Sequence, residues 1–336
     1  MIGMKKVVII GAGSWGTALG LVLARKGYDI TLWEFNKERA EEIQKNRENK
    51  RYLPGIKFPD NLNVTYRKEN LLEGIKYVVF SVPSQVLRGV IREFSNNLTE
   101  DMLLVNTAKG IEVSTGMRLS EVMKDEIKGK FHKNIVVLSG PTHAEEVAVG
   151  IPTTIVAAGE REKAAEIQEL FNSKVFRVYL SEDVVGVELG AAVKNCLAIG
   201  AGIADGMGFG DNTKAALITR GIAEMIRYGK ACGAKEITFS GLSGIGDLIV
   251  TCASKHSRNR HVGECLGKGQ DIQTILSEMT MVAEGVPTVK AVYEQIQKLN
   301  ISMPILEATY NIIYKNANAG NMVEELMERT LKEEFY

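Results

Sequence analysis

The stretch Lys5 to Arg25, KKVVIIGAGSWGTALGLVLAR, joins an apolar β-branched run to a helical pattern through Gly11-Ala12-Gly13-Ser14-Trp15-Gly16. A G-x-G-x-x-G string alone is weak, because any glycine-rich turn can carry it. Here it follows a strand and opens a helix, and Glu34 ends the next β-like run 18 residues beyond Gly16. That is the context of a dinucleotide-binding βαβ unit. Gly11 permits the tight turn, Gly13 lets the backbone approach a pyrophosphate, and Gly16 lets helix pack on strand. The phosphates then meet the helix N-terminus, where free N–H groups and the helix dipole favour negative charge. Glu34 would accept hydrogen bonds from the adenosine ribose, which favours NAD and repels the 2′-phosphate of NADP. Lys37 and Arg39 lie close enough in sequence to offset that repulsion, so the choice between NAD and NADP stays open.

Outward from this unit, the rhythm continues. Lys5 to Ile10, Asp29 to Trp33, Tyr77 to Val82, Met102 to Asn106, Asn134 to Leu138, Thr153 to Ala157 and Val175 to Tyr179 read as strands. Gly16 to Arg25, Lys37 to Arg47, Gln85 to Asn96 and Arg161 to Phe171 read as helices between them. Strand and helix in alternation predict a doubly wound, mostly parallel α/β sheet of Rossmann type. After Ser181 the β-like runs nearly vanish. Leu189 to Ala204, Asn212 to Gly229, Gly246 to Ala253, Val286 to Leu299, Pro304 to Tyr314 and Met322 to Lys332 look helical. We therefore expect residues 1–181 to form a dinucleotide-binding domain and residues 182–336 an all-α substrate domain.

Charge supports the same division. The 336 residues carry 41 Lys plus Arg and 41 Asp plus Glu, but 26 basic and 22 acidic residues fall before Glu182, against 15 and 19 after it. A neutral total disfavours nucleic acid as a partner, since counterion release needs a cationic face. With 45% hydrophobic and 24% charged residues, the composition is that of a globular protein. Four apolar residues before Gly11 are too few for a signal peptide, and no uninterrupted apolar run reaches the roughly 18 residues of a membrane span. A cytoplasmic protein is expected. Cys196, Cys232, Cys252 and Cys265 match no metal spacing and read as free thiols, and the four histidines add no metal site.

Candidate chemistry lies in several segments. In Leu189 to Ala204, LGAAVKNCLAIGAGIA, only Lys194 and Asn195 are strongly polar. A lysine so placed is partly desolvated, which lowers its pKa toward proton transfer. A snorkelling lysine, an ion pair with Glu188 and an interface cation compete with that reading. Asp247, before Leu248-Ile249-Val250, fits a helix cap or a site residue. Ser257-Arg258-Asn259-Arg260, flanked by Lys255, His256 and His261, fits a solvated loop or a site for a small phosphate ester, because Arg supplies bidentate donors. Lys109 follows one strand and Gly140-Pro-Thr-His-Ala-Glu145 another, where a doubly wound sheet presents ligand loops. His143, a lone histidine after a proline turn, fits a structural role better than a catalytic base.

Taken together these segments resemble the NAD(P)-dependent glycerol-3-phosphate dehydrogenases: GAGSWGTALG at 11–20, SVPSQVLR at 81–88, NTAKGIE at 106–112, LSGPTHAEEV at 138–147, ELGAAVKNCLAIGAGIADG at 188–206, GLSGIGDLIVTC at 241–252, SRNR at 257–260 and AEGVPT at 283–288. The resemblance implies a Rossmann domain joined to a helical domain, with catalysis between them. It implies reversible reduction of dihydroxyacetone phosphate to sn-glycerol 3-phosphate, which feeds phospholipid synthesis. By position, Lys194 is the implied proton donor. Lys109 would bind cofactor and substrate, and Asp247 and Asn259 would hold substrate hydroxyls and orient the lysine. Gly140, Thr142 and Asn195 would line the substrate pocket, with Ser257, Arg258 and Asn259 around the phosphate. Cofactor contacts are implied for Ser14, Trp15, Phe35, Asn36, Ala144, Arg258, Val282 and Glu284. Many relatives carry a basic residue where this chain has Phe35 and Asn36, which leans the expectation toward NADH.

A β-hydroxyacid or 6-phosphogluconate type dehydrogenase shares this plan, but the SRNR and GLSGIGD segments separate it. A non-catalytic NAD-sensing module would have lost the lysine or the phosphate segment, and both are present. The glycine-rich run at 189–204 leaves packing within the chain or across a homodimer open.

Overall fold

A computed structural model describes residues 5–331, 333 and 334. Its sheet is built from β1 (Lys6–Ile10), β2 (Asp29–Trp33), β3 (Leu62–Thr65), β4 (Tyr77–Phe80), β5 (Leu103–Asn106), β6 (Ile135–Ser139), β7 (Thr153–Ala158) and β8 (Phe176–Ser181). Their spatial order is β3-β2-β1-β4-β5-β6-β7-β8. All neighbours are parallel except β6 and β7, which run antiparallel. The central strands β4, β5 and β6 are buried at every residue because helices cover both faces. These helices are α1 (Ser14–Arg25), α2 (Lys37–Asn46), α3 (Leu87–Phe94), α4 (Leu119–Glu126), α5 (Ala144–Val149) and α6 (Arg161–Phe171).

The sequence reading missed β3, a run of only four residues, LNVT, with two apolar side chains; pairing of its Leu62 with Ile30 of β2 makes it a strand. It also missed α4 and α5. The chain runs from β1 outward to β2 and β3, then returns across β1 to β4. This reversal leaves a crevice at the carboxyl ends of β1 and β4, the place where such sheets bind ligands.

Beyond Ser181 the described chain is helical: α7 (Val184–Gly206), α8 (Asp211–Ala231), α9 (Glu236–Phe239), α10 (Asp247–Ala253), α11 (Arg258–Gly267), α12 (Ile272–Glu278), α13 (Gly285–Leu299), α14 (Pro304–Lys315) and α15 (Ala319–Met327). Lys332, the expected end of the last helix, lies outside the described residues, and α15 stops at Met327. By length and composition α7 could cross a membrane, with a mean hydropathy of 1.5, but 89% of its apolar window is buried inside the fold. Asp183 caps it by accepting from the Gly186 backbone.

The segment 257–260, for which a solvated loop was one reading, is the start of α11, with the Ser257 hydroxyl accepting from the Arg260 backbone. The glycines of α7 explain its position. A Cβ on Gly202 or Gly206 would overlap the carbonyl of Arg260 or Glu264, and one on Gly263 or Gly267 would overlap that of Ile199 or Ile203. The two helices therefore meet backbone to backbone, so these glycines serve packing within the chain. This contact carries the start of α11 to the polar step of α7.

Candidate active site

One cleft runs from the turn after β1 to the start of α11. At its first end Gly11 has φ +112°, and a Cβ there would collide with the Ser81 carbonyl, so only glycine closes this turn. Gly16, beneath the lining, has no room for a Cβ against the Gly11 carbonyl, whereas Gly13 has open space around it. No side chain caps α1 and its first turn holds no acidic residue, which leaves its N-terminal donors to a ligand. Trp15 Nε1 is buried without a hydrogen-bond partner at the same end. A backbone cradle with space at Gly13 fits a dinucleotide pyrophosphate.

Glu34, Phe35, Ala144, Val282 and Glu284 also line the cleft. Asn36 does not; its side chain caps α2 by accepting from the Arg39 backbone at 2.9 Å. Glu34 is buried and takes Arg39 Nη2 at 2.8 Å. The Glu284 carboxylate reaches across the cleft to the Ser84 backbone N–H at 3.0 Å and to the Ser84 hydroxyl, joining the two halves of the molecule. Burial pushes its carboxyl above the usual value, against the effect of those bonds.

The middle of the cleft holds a charged cluster. Lys194 is 6% exposed and donates to Asp247 Oδ1 at 2.8 Å and to the Thr251 hydroxyl at 2.8 Å. Lys109 donates to the other oxygen, Asp247 Oδ2, at 2.7 Å and to the Gly140 carbonyl at 2.9 Å. Of the readings open for Lys194, desolvation holds, with Asp247 as its counterion. Glu188 is engaged elsewhere, by Arg118 at 2.7 Å and by Ser120. Asp247 opens α10 without capping it, because its carboxylate is spent on the two lysines.

Burial pushes Lys194 down to about 8; Asp247 opposes this and the Lys109 ammonium adds to it. Burial alone would raise the Asp247 carboxyl, but the two ammoniums overcome it and hold it below its ordinary value. His143 lines the cleft with its Nε2 buried and unpartnered, and burial, then Lys194, keep its pKa low.

At the far end Asn259 Nδ2 donates to Asn195 Oδ1 at 2.8 Å, while Asn259 Oδ1 accepts from the Gly285 backbone at 2.9 Å. Ser257 and Arg258 stand at the N-terminus of α11, whose first turn has no acidic residue. Arg258 Nη1 is held by the Val282 carbonyl at 2.9 Å. Thr142 lines the cleft and donates to the Gly140 carbonyl; Gly140 itself lies outside the lining and contributes that carbonyl as an acceptor. Thr251 and Tyr52 line the cleft as well and were missed from sequence; Arg39 and His256, noted there only as charge beside Glu34 and beside the SRNR segment, line it too. For Thr251 the signal was there: it lies one helical turn from Asp247, on the same face.

A glycine-turn cradle facing a desolvated lysine and a cationic helix start defines a dinucleotide-dependent oxidoreductase of Rossmann plus helical plan. The description "NAD-dependent glycerol-3-phosphate dehydrogenase N-terminus" matches residues 6–165, and the corresponding C-terminus residues 183–324. The chain is 48% identical over 329 residues to glycerol-3-phosphate dehydrogenase [NAD(P)+] of Chlorobium chlorochromatii, covering 98% of this chain and 99% of that protein. A Clostridium tetani enzyme of the same name is 48% identical over 333 residues, covering 98% and 94%. The crystal structure of glycerol-3-phosphate dehydrogenase from Coxiella burnetii aligns with a TM-score of 0.92 at 36% identity, over 97% of this chain and 99% of that one. This chain belongs to the NAD-dependent glycerol-3-phosphate dehydrogenase family.

Proposed function

We propose that the protein reduces dihydroxyacetone phosphate to sn-glycerol 3-phosphate, reversibly, with NAD or NADP, and so supplies the backbone of phospholipids. The observation that carries this reading is the Lys194–Asp247–Lys109 cluster, set between a pyrophosphate cradle and a cationic helix start. In this reading residues 1–181 bind the dinucleotide and residues 182–336 hold the substrate. The reduced nicotinamide, when bound, supplies the hydride from its C4 position.

Each side chain then has a task. Lys194 gives its proton to the ketone oxygen as negative charge develops there, and its ammonium stabilises that oxygen in the same step. A value of about 8 keeps it mostly protonated near neutrality while making the transfer easy. Lys109 adds a second positive charge, and Asp247 aims both lysines through its two oxygens. Ser257, Arg258 and Asn259 hold the substrate phosphate at the start of α11, a dipole-favoured anion site. That grip is remote from the reacting carbon, so it fixes the carbonyl in place without touching the chemistry. Ser14, Trp15, Glu34, Phe35, Val282 and Glu284 hold the dinucleotide.

Oxidation of NADH followed at 340 nm with dihydroxyacetone phosphate tests the reading. Lys194→Ala lowers kcat by orders of magnitude, and Arg258→Ala chiefly raises KM. Near-normal turnover without Lys194 removes it from the mechanism, and no turnover by the intact protein favours an NAD-sensing module. We also place the protein in the cytoplasm, a reading supported by four unpaired thiols and checked by cell fractionation.

A further inference from the structure

Glu34 directly follows β2 in the position of a ribose-binding acid, and Phe35 and Asn36 after it offer no cation for a 2′-phosphate. Of the two nearby cations, Lys37 turns away, lying 3.9 Å from Glu41 and over the Tyr66 ring. Arg39 does the opposite. It rises from the first turn of α2 into the cleft, its guanidinium 4.7 Å from the Phe35 ring centre. Only Nη2 makes a short bond, to Glu34; Nη1 reaches the Tyr52 hydroxyl at 3.5 Å, and Nε has no hydrogen-bond partner.

A guanidinium has five donors in a fixed fork, and a phosphate is the anion that matches them. Here one corner of the fork neutralises the acid that would repel the 2′-phosphate, while Nε is buried and the second N–H on each of Nη1 and Nη2 is uncommitted. We propose that Arg39 is the residue that admits the 2′-phosphate, so that the Glu34–Arg39 pair lets one site accept both NADH and NADPH. The inference rests on the cofactor part of the proposed function and assigns its specificity to a residue on α2.

The test is equilibrium binding of NADH and NADPH, read by nucleotide fluorescence at two salt concentrations, for the intact protein, Arg39→Gln and Glu34→Gln. The intact protein is expected to bind NADPH within about tenfold of NADH, with a steeper loss of NADPH affinity in salt. Arg39→Gln should shift the NADPH-to-NADH ratio of dissociation constants upward by at least about tenfold, or about 1.4 kcal/mol. Glu34→Gln, which frees the whole guanidinium, should shift it downward. Equal weakening of both nucleotides by Arg39→Gln overturns the inference, since Arg39 would then only stack beside the adenosine end. Tight NADH with no NADPH binding in the intact protein overturns it too and leaves the dehydrogenase reading standing. Failure to bind either nucleotide overturns both.

Discussion

Removing the charge of Asp247 while keeping its shape, with Asp247→Asn, separates electrostatics from geometry at the centre of the site. Asp247 is 1% exposed and lies 2.8 Å from Lys194 and 2.7 Å from Lys109. With it neutralised, two ammoniums share a buried site without a counterion. A full Coulomb estimate at 2.8 Å and an effective dielectric of about 20 gives roughly 6 kcal/mol for one pair. Relaxation reduces this, and an opposite charge at such range usually moves a pKa by about 1–3 units. Taking about 2 units, Lys194 falls from about 8 to about 6.

At pH 7.5 the protonated fraction then drops by about 25-fold, and ketone reduction drops with it, because only the ammonium can give a proton. The assay is kcat/KM for dihydroxyacetone phosphate reduction from pH 5.5 to 9. In the intact protein it falls as pH rises through about 8; in the variant that limb moves to near 6, and activity recovers substantially in acid. The reverse reaction needs the neutral amine, so its limb rises through the same values. An unmoved limb, or an equal loss at every pH, would refute the assignment of Asp247 as the counterion that sets Lys194.

The glycines at 13 and 16 should fail in different ways. Gly13→Ala has room for its methyl, so the protein keeps its stability and loses dinucleotide affinity, whereas Gly16→Ala drives into the Gly11 carbonyl and lowers the thermal midpoint as well. Comparable midpoints for the two variants would contradict the packing account. Glu224 accepts from the Ile305 and Leu306 backbone N–H groups, capping α14, and burial pushes its carboxyl up to about 7. Between pH 4.5 and 7 the folded protein then keeps a proton that the unfolded chain has released. Stability should therefore fall across that window by at most about 3 kcal/mol. Urea midpoints in Glu224→Gln should lose that slope; an unchanged slope places its origin elsewhere.

The β1–α1 turn was legible because its chemistry is local: a strand, three glycines with fixed spacing and a helix, with Glu34 one strand later. The chemical identity of Lys194 was legible for a related reason, since an ionisable residue in an apolar helix announces its own desolvation. Its partner was not legible from the residues alone, and only the family resemblance pointed to Asp247. Asp247 lies 53 positions away, and Glu188, nearer in sequence, was the more obvious candidate. The start of α11 was obscured by a short run of cations that sequence alone equates with a solvated loop. Its true position depends on glycines spaced along two helices that must interlock, and no single-helix pattern displays that. Arg39 belonged to the visible charge near Glu34, yet only the turn of α2 separates it from Lys37.

The lysine cluster itself carries a further consequence. Two ammoniums and one carboxylate leave one positive charge in excess, buried in a cleft where uncompensated charge is costly. The excess is tolerable because Lys194 sheds its proton easily, and it becomes favourable when an anionic substrate arrives. A phosphorylated substrate must therefore raise the Lys194 pKa, and by linkage the protein must take up protons as it binds. At pH 8, where Lys194 is about half protonated, the uptake is at most about half a proton per site. Calorimetry of dihydroxyacetone phosphate binding to protein saturated with oxidised NAD, a pair that cannot react, measures this through the dependence of heat on buffer ionisation. Lys194→Met should abolish the uptake even where it still binds. Binding with no proton uptake by the intact protein would mean that the cluster is already balanced without substrate, and that the excess charge is not what prepares the site for a developing oxyanion.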